Sequence, residues 1–336
     1  MRSLTYLEVM ESTIPRVPTT VFTGFLGAGK TTIIANLIDQ LQTTGVKVVY
    51  IKNEIGNENV DAKIFKGKHI QTKELLNGCI CCTLVGPFIQ AIDEIIETLK
   101  PDRILIEASG AADPAALALM IDSHPKIKRD GVLAIIDVVN FDGYIDLSLT
   151  AQNQTKFTDL IVFNKVELVN LARKQAVVGY VRELNTHSPI VEAPAGKLEA
   201  SIAFGLASLE LDQLLANTGF NHESVGQQQH PHQHHLIQDG IESFSAPIPQ
   251  GVAEQALRQF LEQLPAAVYR VKGIFRPNPS AVFLINKVGQ RIEIEPVAEQ
   301  SLPSTDTILV LTGFRILQFQ AEITNKLALL AQNLPS

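Results

Sequence analysis

The 336-residue chain lacks three features that would each define a class of protein. It has no run of basic residues and a net charge of -7, which argues against nucleic-acid binding, because affinity for phosphate backbones depends on clustered Lys and Arg. No apolar stretch approaches the roughly 18 residues of a membrane-spanning helix. The broken apolar pattern near the N-terminus is a poor signal-peptide core. We therefore expect a cytoplasmic protein with no nucleic-acid or membrane partner.

Cysteine is scarce as well. The chain has three cysteines, which lie close together at Cys79, Cys81 and Cys82. An odd number so clustered cannot cross-link an extracellular fold, and a disulfide between neighbouring residues would strain the backbone. Reduced thiols in a reducing compartment are therefore expected.

The order of apolar runs predicts the fold class of the first part of the chain. Between about residues 17 and 193, short runs rich in Val and Ile alternate with amphipathic segments of helical length. Strands are predicted near 18–23, 47–53, 103–108, 131–138, 159–164 and 189–193, and helices include 30–43, 86–99 and 169–184. Nearly continuous apolar strands are typical of a parallel sheet covered on both faces. The pattern predicts an α/β fold with a doubly wound, mostly parallel sheet that binds ligands beyond the carboxyl ends of its strands.

A change of composition divides the chain. Residues 221–239 are polar and rich in His and Gln, which predicts a mobile linker. The pattern after them predicts a smaller C-terminal α+β domain. Its predicted strands are 241–248, 268–276, 281–287, 290–296 and 306–312, and its predicted helices are 252–263 and 316–332. The predicted organisation is an N-terminal extension (1–15), a first domain (16–220), the linker and a C-terminal domain (240–336).

Residues 24–31, GFLGAGKT, fit the phosphate-binding pattern G-x-x-x-x-G-K-[ST] between a predicted strand and a predicted helix. Glycines let such a loop curl so that backbone N–H groups converge on phosphates at a helix N-terminus. Lys30 is expected to reach the β and γ phosphates, and Thr31 is expected to ligate Mg²⁺. The remaining residues predicted to bind the nucleotide here are Gly24, Gly27, Ala28, Gly29 and Thr32.

A second phosphate element follows the predicted strand 103–108. A carboxylate at the end of a buried strand, such as Glu107, holds the Mg²⁺ shell or orients water, and the N–H of Gly110 is expected to approach the γ-phosphate. Lys30, Glu107 and Gly110 are therefore the predicted catalytic residues. Neither a catalytic base nor an arginine finger is evident, so turnover should be slow.

The base-recognition element is predicted at residues 164–167, NKVE, after a late strand. In guanine-specific P-loop proteins the pattern is Asn-Lys-x-Asp, and the carboxylate accepts hydrogen bonds from guanine N1–H and the 2-amino group, which adenine lacks. Asn164 and Lys165 match this pattern, whereas Glu167 is one methylene longer than the usual Asp. GTP is the expected nucleotide, and we expect the preference for GTP over ATP to be weaker than the usual Asp would give.

The cysteine cluster predicts a metal site. Soft thiolates favour zinc and copper(I), and three within a short turn can converge on one ion. The fourth ligand stays open between Glu54, His69, water and a linker histidine. The histidine tract at 230–235 has two interpretations, a weak collector of metal ions or a solvated linker.

Together these motifs resemble the CobW-type GTPases, a family of metal-trafficking P-loop proteins. The motifs that carry the resemblance are residues 24–32, NEIG at 53–56 with Asp61, NGCICC at 77–82, 107–110, 164–165, YRVKG at 269–273 and LTG at 311–313. The resemblance implies that Glu54 and the three cysteines ligate metal and that residues 53–61 respond to the γ-phosphate as a switch. The implied cofactors and cargo are GTP, Mg²⁺ and Zn²⁺ or Co²⁺. One departure is Asn57, where relatives often have Glu.

The resulting hypothesis is a GTP-hydrolysing metallochaperone that delivers a transition metal, zinc first, to a client metalloprotein. Two alternatives stay open: a passive metal-binding scaffold or maturation factor, and an ATP-using P-loop enzyme. The sequence leaves the oligomeric state open, a homodimer being one alternative.

Overall fold

The computed structural model describes residues 16–53, 71–74, 85–109, 114–143, 149–205, 241–278, 281–297 and 307–330. These residues fall into two compact units, 16–205 and 241–330. Each unit has its own β-sheet. The predicted extension 1–15, the predicted linker 221–239 and the predicted domain limits at 220 and 240 lie outside the described residues.

The first unit is a seven-stranded sheet with the order β3-β2-β4-β1-β5-β6-β7, and all of its strand pairs are parallel. Its strands are β1 (Val17–Thr23), β2 (Val48–Asn53), β3 (Gln71–Glu74), β4 (Arg103–Ala108), β5 (Ile127–Asp137), β6 (Leu160–Asn164) and β7 (Ile190–Ala193). Strands 2 to 4 lie on one side of β1 and strands 5 to 7 on the other. In such sheets ligands bind beyond the carboxyl ends of the strands, at the point where the strand order changes direction. That point is here the end of β1, which lies between β4 and β5.

Helices follow most of these strands. They are α1 (Lys30–Gln42), α2 (Val85–Leu99), α3 (Pro114–Ser123), α4 (Leu149–Lys156), α5 (Leu171–Leu184) and α6 (Ala200–Ala203), with 3₁₀ turns at Val166–Leu168 and Pro194–Gly196. Helix α1 buries Ile34, Leu37, Ile38 and Leu41, whose spacing of three and four residues makes one apolar face. Burying each such side chain stabilises the fold by about 1.5–3 kcal/mol. The predicted doubly wound α/β fold is confirmed.

Some features of this unit were not predicted. Strand β5 begins at Ile127 rather than near 131. The polar residues Lys128, Arg129 and Asp130 interrupt the apolar pattern, so the sequence did not indicate a strand at these positions. Asp130 is buried there against Arg103, and it also accepts hydrogen bonds from the Gly205 N–H. Strand β3 and helix α4 were missed because QTKE and LTAQNQTK have little apolar periodicity.

The second unit is a five-stranded antiparallel sheet with the order β11-β10-β9-β12-β8. Its elements are β8 (Ile241–Pro247), α7 (Glu254–Glu262), β9 (Val268–Asn278), β10 (Ala281–Val288), β11 (Arg291–Val297), β12 (Ile308–Phe314), a 3₁₀ turn (Ile316–Phe319) and α8 (Gln320–Leu329). Leu257 and Phe260 of α7 pack with Ile323 and Leu327 of α8 in a core that also contains strand side chains. This arrangement confirms the predicted α+β domain.

The last helix differs from its prediction. Residues 316–332 were expected to form one helix, but the first turn is a 3₁₀ helix and α8 begins at Gln320. Arg315 sits before it with φ 49°, in the left-handed region, which lets the chain turn sharply out of β12. Among the described helices, none is both long and apolar enough to cross a membrane.

Candidate nucleotide and magnesium site

The phosphate loop connects β1 to α1, at the reversal point of the sheet. Gly24, Gly27 and Gly29 have φ values of 134°, 77° and 95°. A Cβ atom at Gly24 would lie 2.2 Å from the carbonyl oxygen of Ile135, and one at Gly29 would lie 2.1 Å from Nδ2 of Asn164. Glycine is therefore required at these two positions for both its conformation and its lack of a side chain.

Lys30 is held against this loop. Its side chain is 6% exposed, and Nζ donates hydrogen bonds to the carbonyl oxygens of Gly24 at 2.9 Å and Phe25 at 3.2 Å. The ammonium group therefore places a positive charge at the loop, where phosphates are expected to bind, and it also acts on the neighbouring Glu107.

Thr31, Glu107 and Tyr50 meet next to Lys30, and these four residues are called the magnesium corner below because their chemistry suits that ion. Thr31 Oγ1 lies 3.0 Å from each carboxylate oxygen of Glu107, and Tyr50 Oη donates to Glu107 Oε2 at 2.5 Å. Burial raises the pKa of Glu107, although the hydrogen bond from Tyr50 and the charge of Lys30 oppose this effect. A hydroxyl and a carboxylate are the hard oxygen ligands that Mg²⁺ prefers, so these residues fit that ion.

A base corner is formed at the neighbouring strand ends. Asn164 Nδ2 donates to the carbonyl oxygen of Ala28 at 2.8 Å, and Lys165 Nζ donates to that of Gly27 at 3.0 Å. Lys165 Nζ also lies 2.5 Å from Asp137 Oδ2. Burial raises the pKa of Asp137, but hydrogen bonds from Lys165, Asn140 and the N–H of Val139 outweigh it, so the pKa lies below its ordinary value. The Asn-Lys pair therefore ties β6 to the phosphate loop.

Glu167 joins the base corner through the turn after β7. Its Oε2 accepts a hydrogen bond of 2.9 Å from the N–H of Ala195, a non-glycine residue with φ 51°. The next residue, Gly196, donates its N–H to Asn164 Oδ1 at 3.1 Å and accepts from Asn36 Nδ2 at 2.9 Å. The turn at 194–196 is thereby fixed beside the predicted base-recognition residues.

Thr32 contributes to the packing of this turn. A Cβ atom at Gly196 would lie 3.0 Å from Thr32 Cγ2, which shows that the side chain of Thr32 reaches the turn rather than the magnesium corner. A direct contact of Thr32 with the nucleotide stays a prediction.

Several predicted site residues thus come together. Lys30, Thr31 and Glu107 meet beside the phosphate loop, Asn164 and Lys165 contact the loop, and Glu167 lies at the turn that Asn164 holds. The predicted residues Gly110, Glu54, Cys79, Cys81 and Cys82 lie outside the described residues, as do His69, the switch residues 54–61 and the histidine tract. Within the part of the chain that the structure describes, no group of three or more His, Cys, Asp or Glu could hold a metal ion.

Sequence reasoning missed Tyr50, Asp137 and Ala195. Asp137 carries the same signal as Glu107, an acidic residue at the end of a buried apolar strand, and that signal could have identified it. Tyr50 lies inside a strand, and its role depends on the pairing of β2 with β4. Ala195 depends on the conformation of a turn, for which the sequence PAG gives no sufficient signal.

Comparison with known proteins finds sequence relatives over most of the chain. The sequence relatives include the zinc chaperone CobW of a Sinorhizobium species, 31% identical over 83% of this chain and 87% of that protein. The zinc chaperone YjiA of Escherichia coli is 29% identical over 60% of this chain and 65% of that protein. The zinc-regulated GTPase metalloprotein activator 1 of Schizosaccharomyces pombe is 26% identical over 86% of this chain and 79% of that protein.

Two family models cover the two units. Residues 18–192 match the CobW/HypB/UreG nucleotide-binding domain, and residues 241–330 match the C-terminal domain of the cobalamin synthesis protein CobW. The chain therefore belongs to the CobW family of P-loop nucleotide-binding proteins.

Proposed function

We propose that this protein is a GTPase metallochaperone that binds zinc at Cys79, Cys81 and Cys82 and delivers it to a client metalloprotein. The observation that carries the proposal is the convergence of Lys30, Thr31 and Glu107 beside the phosphate loop. A phosphate-binding loop next to residues that can hold a metal ion is the arrangement that supports phosphoryl transfer to water. The protein works where thiols stay reduced, as in the cytoplasm.

The residues of the magnesium corner have distinct tasks. Lys30 binds the β and γ phosphates as a point charge. Thr31 donates its hydroxyl proton to Glu107, which leaves the oxygen lone pairs for a cation. Burial raises the pKa of Glu107, but the hydrogen bond from Tyr50 and the positive charge of Lys30 favour its ionised form, which would accept hydrogen bonds from water in the site. Mg²⁺, when bound here, supplies the positive charge that neutralises the oxygens of the transferred phosphoryl group.

The base corner supports guanine as the base. Glu167 offers a carboxylate to the N1–H and 2-amino donors of guanine, which adenine does not present as a pair. One of its oxygens already accepts the N–H of Ala195, so only part of its acceptor capacity stays for the base. We therefore propose GTP as the substrate with a preference over ATP that is smaller than an Asp would give.

Zinc as the cargo rests on the thiolates and on the relatives. Three soft thiolates favour zinc over hard cations, and the relatives described above are named for zinc. Strand β2 pairs with β4 so that Asn53 lies opposite Ala108, the residue after Glu107. The metal-ligand candidate Glu54 therefore follows directly on a strand that adjoins the magnesium corner. This adjacency supports a switch in which the γ-phosphate alters the metal ligands.

The test measures zinc affinity and GDP affinity of the same protein. Replacing Cys79, Cys81 and Cys82 by Ala should weaken zinc binding, followed by competition with a chromophoric chelator, at least about a hundredfold, since it removes the thiolate ligands. GDP affinity should stay unchanged. As a matched control, replacing His230, His232, His234 and His235 by Ala should leave the tight zinc site intact. Full zinc affinity in the cysteine variant would contradict the site.

Transfer to an apo-metalloprotein separates the chaperone from the passive scaffold. A chaperone that uses GTP should lose GTP-stimulated zinc transfer when Lys30 is replaced by Ala, while its zinc affinity without nucleotide stays the same. A scaffold would transfer zinc equally well with either protein. Competition between ATP and GTP for the site separates both from an ATP-using enzyme.

A further inference from the structure

We propose that Tyr50 is a positioning residue of the magnesium corner, which fixes the orientation of the Glu107 carboxylate through its phenolic hydroxyl. The inference rests on the proposed Mg²⁺-dependent GTPase function and assigns a role to a residue that no motif contains. Tyr50 is not expected to touch the nucleotide or the cation. It acts through Glu107.

The first observation is burial. Tyr50 is 0% exposed, in the middle of β2, where an aliphatic residue would fill the same layer. A buried hydroxyl costs free energy unless it has a hydrogen-bond partner. The partner here is Glu107 Oε2 at 2.5 Å, a distance typical of a strong hydrogen bond from O–H to a carboxylate. The hydrogen bond to Glu107 therefore accounts for a tyrosine, rather than an aliphatic residue, at this position.

The second observation is the register of the two strands. In the parallel pairing of β2 with β4, Tyr50 lies opposite Leu105 and Lys52 lies opposite Glu107, so all of these side chains share one face of the sheet. Tyr50 is thus a diagonal neighbour of Glu107, two residues earlier along its strand. Only a long side chain with a terminal donor spans this separation, and tyrosine meets that requirement.

The third observation is the symmetry of the contact with Thr31. Thr31 Oγ1 is 3.0 Å from Oε1 and 3.0 Å from Oε2, so its single proton cannot distinguish the two oxygens. The terminal torsion of glutamate is soft, and a carboxylate held only at its midline rotates. Tyr50 Oη donates to Oε2 and removes this freedom. Oε1 is then the oxygen with more acceptor capacity for the site.

Tyr50→Phe removes only the hydroxyl and keeps the ring that packs the core. We expect the affinity of the GDP complex for Mn²⁺, measured by electron paramagnetic resonance, to fall about tenfold, which is typical when a residue that orients a metal-site ligand is lost. The kcat for GTP should fall by a similar factor at saturating nucleotide. GDP affinity in EDTA should stay within about twofold, because no phosphate or base contact changes.

Tyr180→Phe is the matched control. Tyr180 lies on α5, where its ring packs edge-on against Phe141 with centroids 6.4 Å apart. The same deletion of a hydroxyl there should leave Mn²⁺ affinity and kcat unchanged. A Tyr50→Phe protein indistinguishable from this control would overturn the inference. So would a Tyr50→Phe protein that loses GDP affinity in EDTA as strongly as Mn²⁺ affinity, because that result indicates a general structural role.

The result also separates this inference from the proposed function. If the wild-type protein neither binds Mn²⁺ with GDP nor hydrolyses GTP, the proposed function fails and the role of Tyr50 falls with it. If the wild-type protein does both and Tyr50→Phe matches it, only the role of Tyr50 fails.

A double-mutant cycle with Glu107→Gln gives a second measure. If Tyr50 acts through Glu107, the hydroxyl deletion should change Mn²⁺ affinity little once Glu107 is replaced, whereas additive effects would contradict the link. Should Tyr50→Phe fail to fold, the near-ultraviolet absorption of tyrosine offers a readout without it. Glu107→Gln alone should shift that absorption as the phenol loses its charged acceptor, and an unchanged spectrum would overturn the inference.

Discussion

The magnesium corner and the base corner lie at the same edge of one sheet, yet they are built differently. At the magnesium corner, Tyr50 and Glu107 are almost fully buried, and their side chains hydrogen-bond to one another. At the base corner, Asn164 is buried but the side chains of Lys165 and Asp137 are 31% and 13% exposed, and Asn164 and Lys165 donate to backbone carbonyl groups of the phosphate loop. The first corner therefore depends on burial and contacts between side chains, whereas the second is anchored to the backbone of the phosphate loop.

The two acidic strand ends show this difference in their electrostatics. Burial dominates at Glu107 and raises its pKa, whereas hydrogen bonds outweigh burial at Asp137 and lower its pKa. The charge on Glu107 therefore costs folding free energy. The charge on Asp137 stabilises the fold even without a ligand.

The largest expected effect is at the magnesium corner. Lys30→Ala should slow single-turnover GTP hydrolysis by at least about a hundredfold, because it removes a preorganised charge from the phosphate loop. Rapid-quench assays at saturating GTP measure it. Lys47→Ala, at an exposed lysine just before β2, is the control and should hydrolyse GTP normally. Equal rates of GTP hydrolysis for both variants would contradict a catalytic role of Lys30.

The base corner should respond in selectivity rather than in rate. Glu167→Ala should reduce the preference for GTP over ATP on the order of tenfold, since a hydrogen bond to a charged group contributes about 1.5–3 kcal/mol. Competition for a fluorescent GDP analogue measures the preference. Glu183→Ala, at an exposed position on α5, should leave the preference unchanged. Retention of full selectivity by Glu167→Ala would place base recognition elsewhere.

Glu107→Gln should separate stability from activity. At neutral pH the substitution removes a buried negative charge, and the raised pKa of Glu107 indicates that this charge destabilises the fold. The free energy of unfolding without ligand should therefore rise by about 1 kcal/mol, while GTP hydrolysis falls. Urea unfolding without nucleotide or Mg²⁺ measures the first quantity. A loss of stability at neutral pH would contradict the difference drawn between the two corners.

Asp137→Asn should have the smallest effect and the opposite sign. It should lower the free energy of unfolding at neutral pH by about 0.5 kcal/mol, because Asp137 and Lys165 form a partly exposed ion pair. The lowered pKa makes the contribution of Asp137 fully present above its ordinary value and lost as pH falls through the folded value. The difference from wild type should therefore begin to shrink as the pH falls below about 4 and disappear only at a more acidic pH, below the folded pKa of Asp137. A difference that stays constant with pH would contradict this assignment.

The sequence was sufficient to predict those parts of the fold and the candidate site whose geometry depends on local spacing. The phosphate loop, Glu107 and the Asn164-Lys165 pair each lie at the carboxyl end of an apolar strand, and parallel strands bring their carboxyl ends to one edge. The start of β5 was not predictable from its polar residues, because Asp130 is buried through contacts with Arg103 and Gly205, which are distant in sequence. The contact between Tyr50 and Glu107 depends on a tertiary register between strands far apart in sequence.

The central claim is that zinc and the γ-phosphate act on one another through the segment that follows β2. The most direct measurement is the zinc affinity of the protein loaded with a non-hydrolysable GTP analogue, compared with that of the GDP form. We predict a difference of about tenfold, with a reciprocal change of the same factor in nucleotide affinity when zinc is bound. Equal zinc affinities in the two nucleotide forms would contradict the coupling and leave a nucleotide-binding protein with an independent metal site.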